Sequence, residues 1–195
     1  MASPILLATC STAIFKLMKR PLLVGWLVAV FFCFSACAFQ LSSWVRVPLK
    51  LSGTDDDNAS VLIPSHIVQA DSSSASKQLI ASDSTGIYWV MNWNIMTGDG
   101  LHDSHRKRIY EDAIRNLTNG TTRTLYSRAE IVIAAYQGIE FILKEDTSSG
   151  QTSFIYVRCV ISEHTGYLLY FAPADKGGYK GVEGKRFFES FTLGH

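Results

Sequence analysis

The chain is 195 residues long, 47% hydrophobic and 18% charged, with a formal net charge of +1. That length holds one ordinary domain, and that composition can bury a core, which excludes a disordered chain. Three of the 18 basic residues, Lys16, Lys19 and Arg20, stand in an N-terminal stretch without acids, which leaves 15 basic against 17 acidic residues from position 38 onward. A dedicated nucleic-acid binder would show a basic surplus there, so nucleic acid is not an expected partner.

Lys16-Leu-Met-Lys-Arg-Pro leads directly into an uncharged apolar run, LLVGWLVAVFFCFSACAF, over residues 22–39. A basic cluster, an apolar run and then small residues is the layout of a secretory signal. Its length is also the lower edge for spanning a bilayer. Positive charges before the run hold the N-terminus in the cytoplasm and send residues 40–195 outward. Residues 1–37 are therefore expected to be a signal peptide or a membrane-anchor helix. Phe34-Ser-Ala-Cys37 resembles the bacterial lipobox in Ser35, Ala36 and Cys37, with Phe34 where Leu is usual. Cys37 is accordingly the candidate lipidation site, with an uncleaved anchor or plain cleavage as the alternatives. Met18 begins a compact version of the same signal and is the expected translation start.

Of the four cysteines (Cys10, Cys33, Cys37 and Cys159), only Cys159 lies in the exported part, so no disulfide forms within it. Cys159 sits in the alternating run Phe154–Ile161, where a small buried side chain is expected and not a nucleophile.

Residues 38–77 are read as a loosely ordered linker with short strands at Trp44–Leu51 and Val61–Pro64. Its polar stretches Asp55–Asn58 and Asp71–Ser76 are read as loops. The α+β domain proper is expected over 78–195, or from near 61. Gln78–Asp83 and Ile87–Ile95 form a hairpin turning at Ser84–Gly86. On its second strand, Trp89, Met91 and Trp93 share a large aromatic face, expected to pack as core or to serve as a ligand surface. A helix follows from about Asp103 to Thr118, with Ile109, Ala113, Ile114 and Leu117 inward, Asp103 or Ser104 as cap, and Asn119-Gly120 as terminator. Strand-like stretches then run over Thr122–Ile133, Gly138–Lys144, Ser153–Ile161 and Tyr167–Ala172, with a turn expected at Gln137-Gly138. A glycine-rich loop, 176–185, fails the phosphate-loop pattern and is read as a flexible connection. It leads to a short helix, Gly184–Phe191, with Phe187, Phe188 and Phe191 inward. Strands, helix, antiparallel meander and helix make an α+β fold.

Several of these pieces, taken in order, resemble a group of small bacterial envelope lipoproteins related in fold to PsbP and DcrB. They are Val61-Leu-Ile-Pro64, Ile87-Tyr-Trp-Val90, Gly138-Ile-Glu140, Tyr156-Val-Arg158, Gly166–Tyr170 and the terminal Arg186-Phe-Phe-x-Ser-Phe191. The resemblance implies a PsbP-like antiparallel sheet flanked by helices, and it carries no catalytic residues. No marker of the photosynthetic PsbP branch is present.

The densest polar cluster, Leu101–Arg108, places His102 and His105 three residues apart, close enough on a helical turn to share a metal. No Glu-x-x-His or His-Glu-x-x-His pattern accompanies them, and polar residues are normal at a helix start. Arg106-Lys-Arg108 is read as a solvated face, with anionic lipid headgroups as the alternative. No Ser-His-Asp order, paired carboxylates or nucleotide fingerprint stands out, and no cofactor is expected. The expected function is a membrane-tethered, extracytoplasmic accessory protein of the bacterial envelope, with a binding or assembly role toward a protein partner. An uncharacterised hydrolase or a lipid- or small-ligand-binding protein is the alternative. Trp89, Trp93 and Tyr170 are the candidate ligand or partner surface.

Overall fold

Seven strands join into one antiparallel sheet whose two faces are covered by different elements. The computed structural model describes residues 43–51, 58–73, 75–95, 101–146, 150–175 and 180–194. The signal run, Cys37 and most of the Asp55–Asn58 loop lie outside them. In chain order the elements are β1 (Trp44–Pro48), β2 (Ser60–Pro64), β3 (Ile67–Ser72), β4 (Ser76–Asp83) and β5 (Gly86–Asn94). They continue with α1 (Asp103–Thr118), β6 (Arg123–Ile133), β7 (Tyr136–Asp146), β8 (Thr152–Ile161), β9 (Thr165–Pro173) and α2 (Gly181–Glu189). The large sheet runs β3-β4-β5-β9-β8-β7-β6, and β1 and β2 pair as a separate ribbon. The α+β class, with an antiparallel sheet flanked by helices, is as expected.

The path of the chain explains where α1 lies. β5 is central, and the next strand, β6, is the far edge, so the connecting helix must cross one face of the sheet. It buries Tyr110, Ile114 and Leu117 against Ile139, Phe141, Ile155 and Val157 of β7 and β8. The meander β6 to β9 then returns to β5, with Trp89 opposite Tyr170 in register. The opposite face carries β1, β2 and α2. There Leu49, Val61 and Ile63 join Tyr88, Val90, Leu169, Phe171, Phe187 and Phe188 in a second core. Phe187, Phe188 and Phe191 are buried against the sheet, as their spacing implied. With both faces covered, β9 is buried from Thr165 to Phe171 and shows no polar alternation.

Several local readings are corrected. Residues 43–77 are not a loose lead-in where described. Leu49, Val61 and Ile63 are at most 1% exposed, and 67–72 is strand β3. β3 lacked a sequence signal because all six of its residues are exposed: it pairs on one side only. The β6–β7 turn falls at Ala134-Ala135, with Ala134 at φ 54°, and not at Gln137-Gly138. Gly138 lies within β7, where a Cβ would come 2.7 Å from the Cys159 carbonyl oxygen. Its glycine serves close strand approach, while the true turn lacks the usual turn residues. His102, and not Asp103 or Ser104, occupies the N-cap of α1, and its side chain makes no capping bond. Tyr110, and not Ile109 or Ala113, joins Ile114 and Leu117 as the deeply buried helix positions; Ile109 and Ala113 are partly buried. The final helix starts at Gly181 (φ 62°), three residues earlier than expected, so the end of the supposed flexible loop is ordered.

Candidate functional site

The period of two along β5 sends Tyr88, Val90 and Asn92 into the α2-side core and Trp89, Met91 and Trp93 toward α1. The first set is fully buried. The second is half-buried, because α1 packs chiefly over β7 and β8 and leaves a cleft beside it. That cleft, about 280 Å³, is walled by Trp89, Met91, Trp93 and Leu168 from the sheet and by Ile109, Ala113 and Leu117 from the helix. Its polar lining is confined to Asp112 and Asn116. The volume stands near the lower end for small-ligand pockets, and the mostly apolar wall with few polar groups is their usual chemistry.

Two features shape the wall. A Cβ on Gly166, which pairs with Trp93 across β5 and β9, would collide with the Trp93 indole. Glycine therefore lets the ring lie directly over the neighbouring strand. Trp89 meets Tyr170 edge to face with ring centroids 5.7 Å apart. Tyr170 is thus a buried backing to the cleft and no part of an open surface, and desolvation raises its phenol pKa. The Trp89 Nε1 atom is buried and has no hydrogen-bond partner among the described residues. A buried donor of that kind costs about 1–3 kcal/mol until something accepts from it. Trp89 and Trp93 were legible as an aromatic face. Leu168 was not, since β9 shows no alternation, and Ile109, Asp112 and Asn116 gained meaning only from the position of the helix.

Three of the six segments that carried the envelope-protein resemblance meet on the other face, through Glu140, Arg158 and Phe188. Glu140 accepts hydrogen bonds from Arg158 (Nη2 2.8 Å, Nε 3.2 Å) and from Lys180 Nζ at 2.9 Å. Arg158 Nη1 also donates to the Phe188 carbonyl at 2.7 Å, tying β8 to the last turn of α2. Lys180 Nζ stands 4.3 Å from the Phe188 ring centroid. Burial alone would raise the Glu140 carboxyl, but the hydrogen bonds and charges of Arg158 and Lys180 outweigh it and hold the group below the usual range. This cluster is a clasp between sheet and helix, and its acid and bases satisfy one another.

His102 and His105 are exposed at the start of α1, with ring centroids 6.2 Å apart. Among the described residues no three His, Cys, Asp or Glu side chains are grouped to hold a metal. Arg106 departs from the solvated-face reading: its Nη1 donates to the Ile161 carbonyl at 3.0 Å. A second hollow of about 470 Å³, between α1 and β6, is lined by charges of both signs, with Arg128 paired to Glu111. Cys159 is fully buried, and desolvation pushes its thiol up to about 12, so it is no thiolate at neutral pH. Among the described residues no helix is long and apolar enough to cross a membrane.

These observations define an α+β domain with a small aromatic cleft on one face of an antiparallel sheet. No protein-family model and no curated protein sequence matches the chain. Among solved structures it is similar to the Ran-binding protein Mog1p of Saccharomyces cerevisiae, at 13% identity and a TM-score of 0.47, over 78% of this chain and 96% of that one. It is also similar to a Bacteroides thetaiotaomicron protein, at 15% identity and a TM-score of 0.40, over 70% of this chain and 45% of that one. These likenesses concern the course of the backbone.

Proposed function

We propose that the chain is a membrane-tethered, extracytoplasmic accessory protein of the bacterial envelope, of the PsbP- and DcrB-like kind. In this reading its domain holds an apolar group in the cleft beside α1. The observation that carries the binding role is the pair of half-buried tryptophans with Met91 and Leu168 across from an amphipathic helix. A small domain ordinarily closes such side chains into its core. Tethering rests on the basic, apolar and small-residue layout ahead of Cys37.

Titrating the protein with a fluorescent fatty-acyl probe tests the binding role. Saturable binding that Trp93→Ala removes, with melting nearly unchanged, is the expected result. A flat titration, or one indifferent to Trp93→Ala, sinks it. Membrane fractionation of wild type and Cys37→Ala, with mass spectrometry of the mature N-terminus, tests the tether. A soluble protein retaining residues 1–40 would overturn export. Turnover lost on changing His102 or His105 in a folded protein would favour the hydrolase alternative.

A further inference from the structure

We infer that one end of the domain, marked by Val45, Ile67, Val68 and Ile87, rests on the lipid surface to which the chain is tethered. All four are exposed, Val68 at 60% and Ile87 at 50%. Hydrogen bonds and strand register bring them to one place. Ser65 N donates to the Ser43 carbonyl at 2.7 Å, and Ile67 N donates to the Ser65 carbonyl at 3.0 Å. Next door, Ser82 N donates to the His66 carbonyl, and Ser82 pairs with Ile87. The start of β1, the start of β3, the end of β4 and the start of β5 therefore share one end of the sheet.

That end is also where the chain enters the fold. Five residues separate Cys37 from Ser43. Even fully extended, six steps of chain reach only about 20 Å. A tether that short gives this end a high effective concentration at the bilayer, so individually weak apolar contacts become occupied. Scattered exposed aliphatics need no explanation, but a group beside the attachment point of a lipid or anchor does. Leu125 and Tyr126, near the start of β6, are exposed at the same end of the sheet. Val132 is exposed at the opposite end of the sheet, and Val182 is exposed on α2, outside the sheet. The Arg186 guanidinium, 4.7 Å over the Trp44 ring and 4.0 Å from Glu183, adds a half-exposed cation where anionic headgroups would lie. Ile87 stands two residues before Trp89 on the same face of β5, so the apolar strip continues toward the cleft.

The inference rests on the tether proposed above, and the experiment separates the two. The full chain, carrying a photoreactive diazirine side chain at position 68, 87 or 132, is reconstituted with phosphatidylethanolamine and phosphatidylglycerol vesicles. It is floated, irradiated and analysed by mass spectrometry. Flotation with lipid adducts at 68 and 87, and none above background at 132, is the expected result. Flotation with no adducts, with adducts at 132 alone, or with crosslinks to a second copy overturns the orientation and leaves the tether standing. Failure to float overturns the tether and the orientation with it.

Discussion

On the α2 side of the sheet, Tyr88, Phe171, Phe187 and Phe188 are at most 1% exposed, while on the α1 side Trp89, Met91 and Trp93 of the same strand β5 stay half-buried. The α2 side closes because three elements, β1, β2 and α2, converge over it. Tyr88 there packs on Trp44, Phe171 and Phe187 at centroid distances of 5.3, 4.8 and 5.3 Å. Among the described residues the α1 side has one helix for a seven-stranded sheet, and a single helix about 10 Å wide covers roughly two strands. One face is thus built for cohesion, and the other retains space beside its helix. Stability and binding are expected to separate along that division.

Phe187→Ala should break the closed face most. Truncating a buried Phe typically costs about 3–5 kcal/mol, against a total stability of roughly 5–15 kcal/mol. Calorimetry should show a much lower melting temperature, with the ligand probe still bound below it. Unchanged melting would mean that the helix aromatics are not holding the face shut.

Gly166→Ala should disturb the open face from within. The new methyl group collides with the Trp93 indole, and overpacking of this kind costs about 1–3 kcal/mol. The expected signature is a shift in tryptophan emission together with weakened probe binding. Wild-type emission and affinity would show that the ring does not need the glycine.

Glu140→Gln sharpens the comparison through pH, since the clasp belongs to the closed face. The folded carboxyl titrates below its unfolded value of about 4.3, so its contribution is fully present above that value and is lost as pH falls through the folded one. Charged hydrogen bonds of this sort contribute about 1.5–3 kcal/mol, discounted here because the side chain is 25% exposed. The variant should melt lower at neutral pH, and the gap to wild type should narrow on acidification below about pH 4. A gap independent of pH would remove the clasp from the account of stability.

His102→Ala should have the smallest effect. The side chain is exposed and makes no capping bond, so a change within about 0.5 kcal/mol is expected. A large loss of stability or of probe binding would show that the start of α1 shapes the cleft.

Much of this architecture could be read along the chain. The β4–β5 hairpin, the limits of α1, the order of the four meander strands and the inward phenylalanines follow from local patterning, the β6–β7 turn excepted. Such signals weaken where an element owes its form to neighbours. β3 is a strand because β4 offers it an edge, although its residues Ile67–Ser72 are all exposed. The Ala134-Ala135 turn closes because β6 and β7 pair in register around it, against the preference of both residues.

The site divides in the same way. That Trp89, Met91 and Trp93 share a face was determined by the sequence alone, because successive side chains on a strand alternate. Whether that face is closed or open was decided by tertiary structure, since it depends on where a helix from elsewhere in the chain comes to rest. The clasp is divided between the two: Glu140 and Arg158 face each other across the β7–β8 hairpin, whereas Lys180, at the start of α2, reaches Glu140 only through the packing of the helix on the sheet.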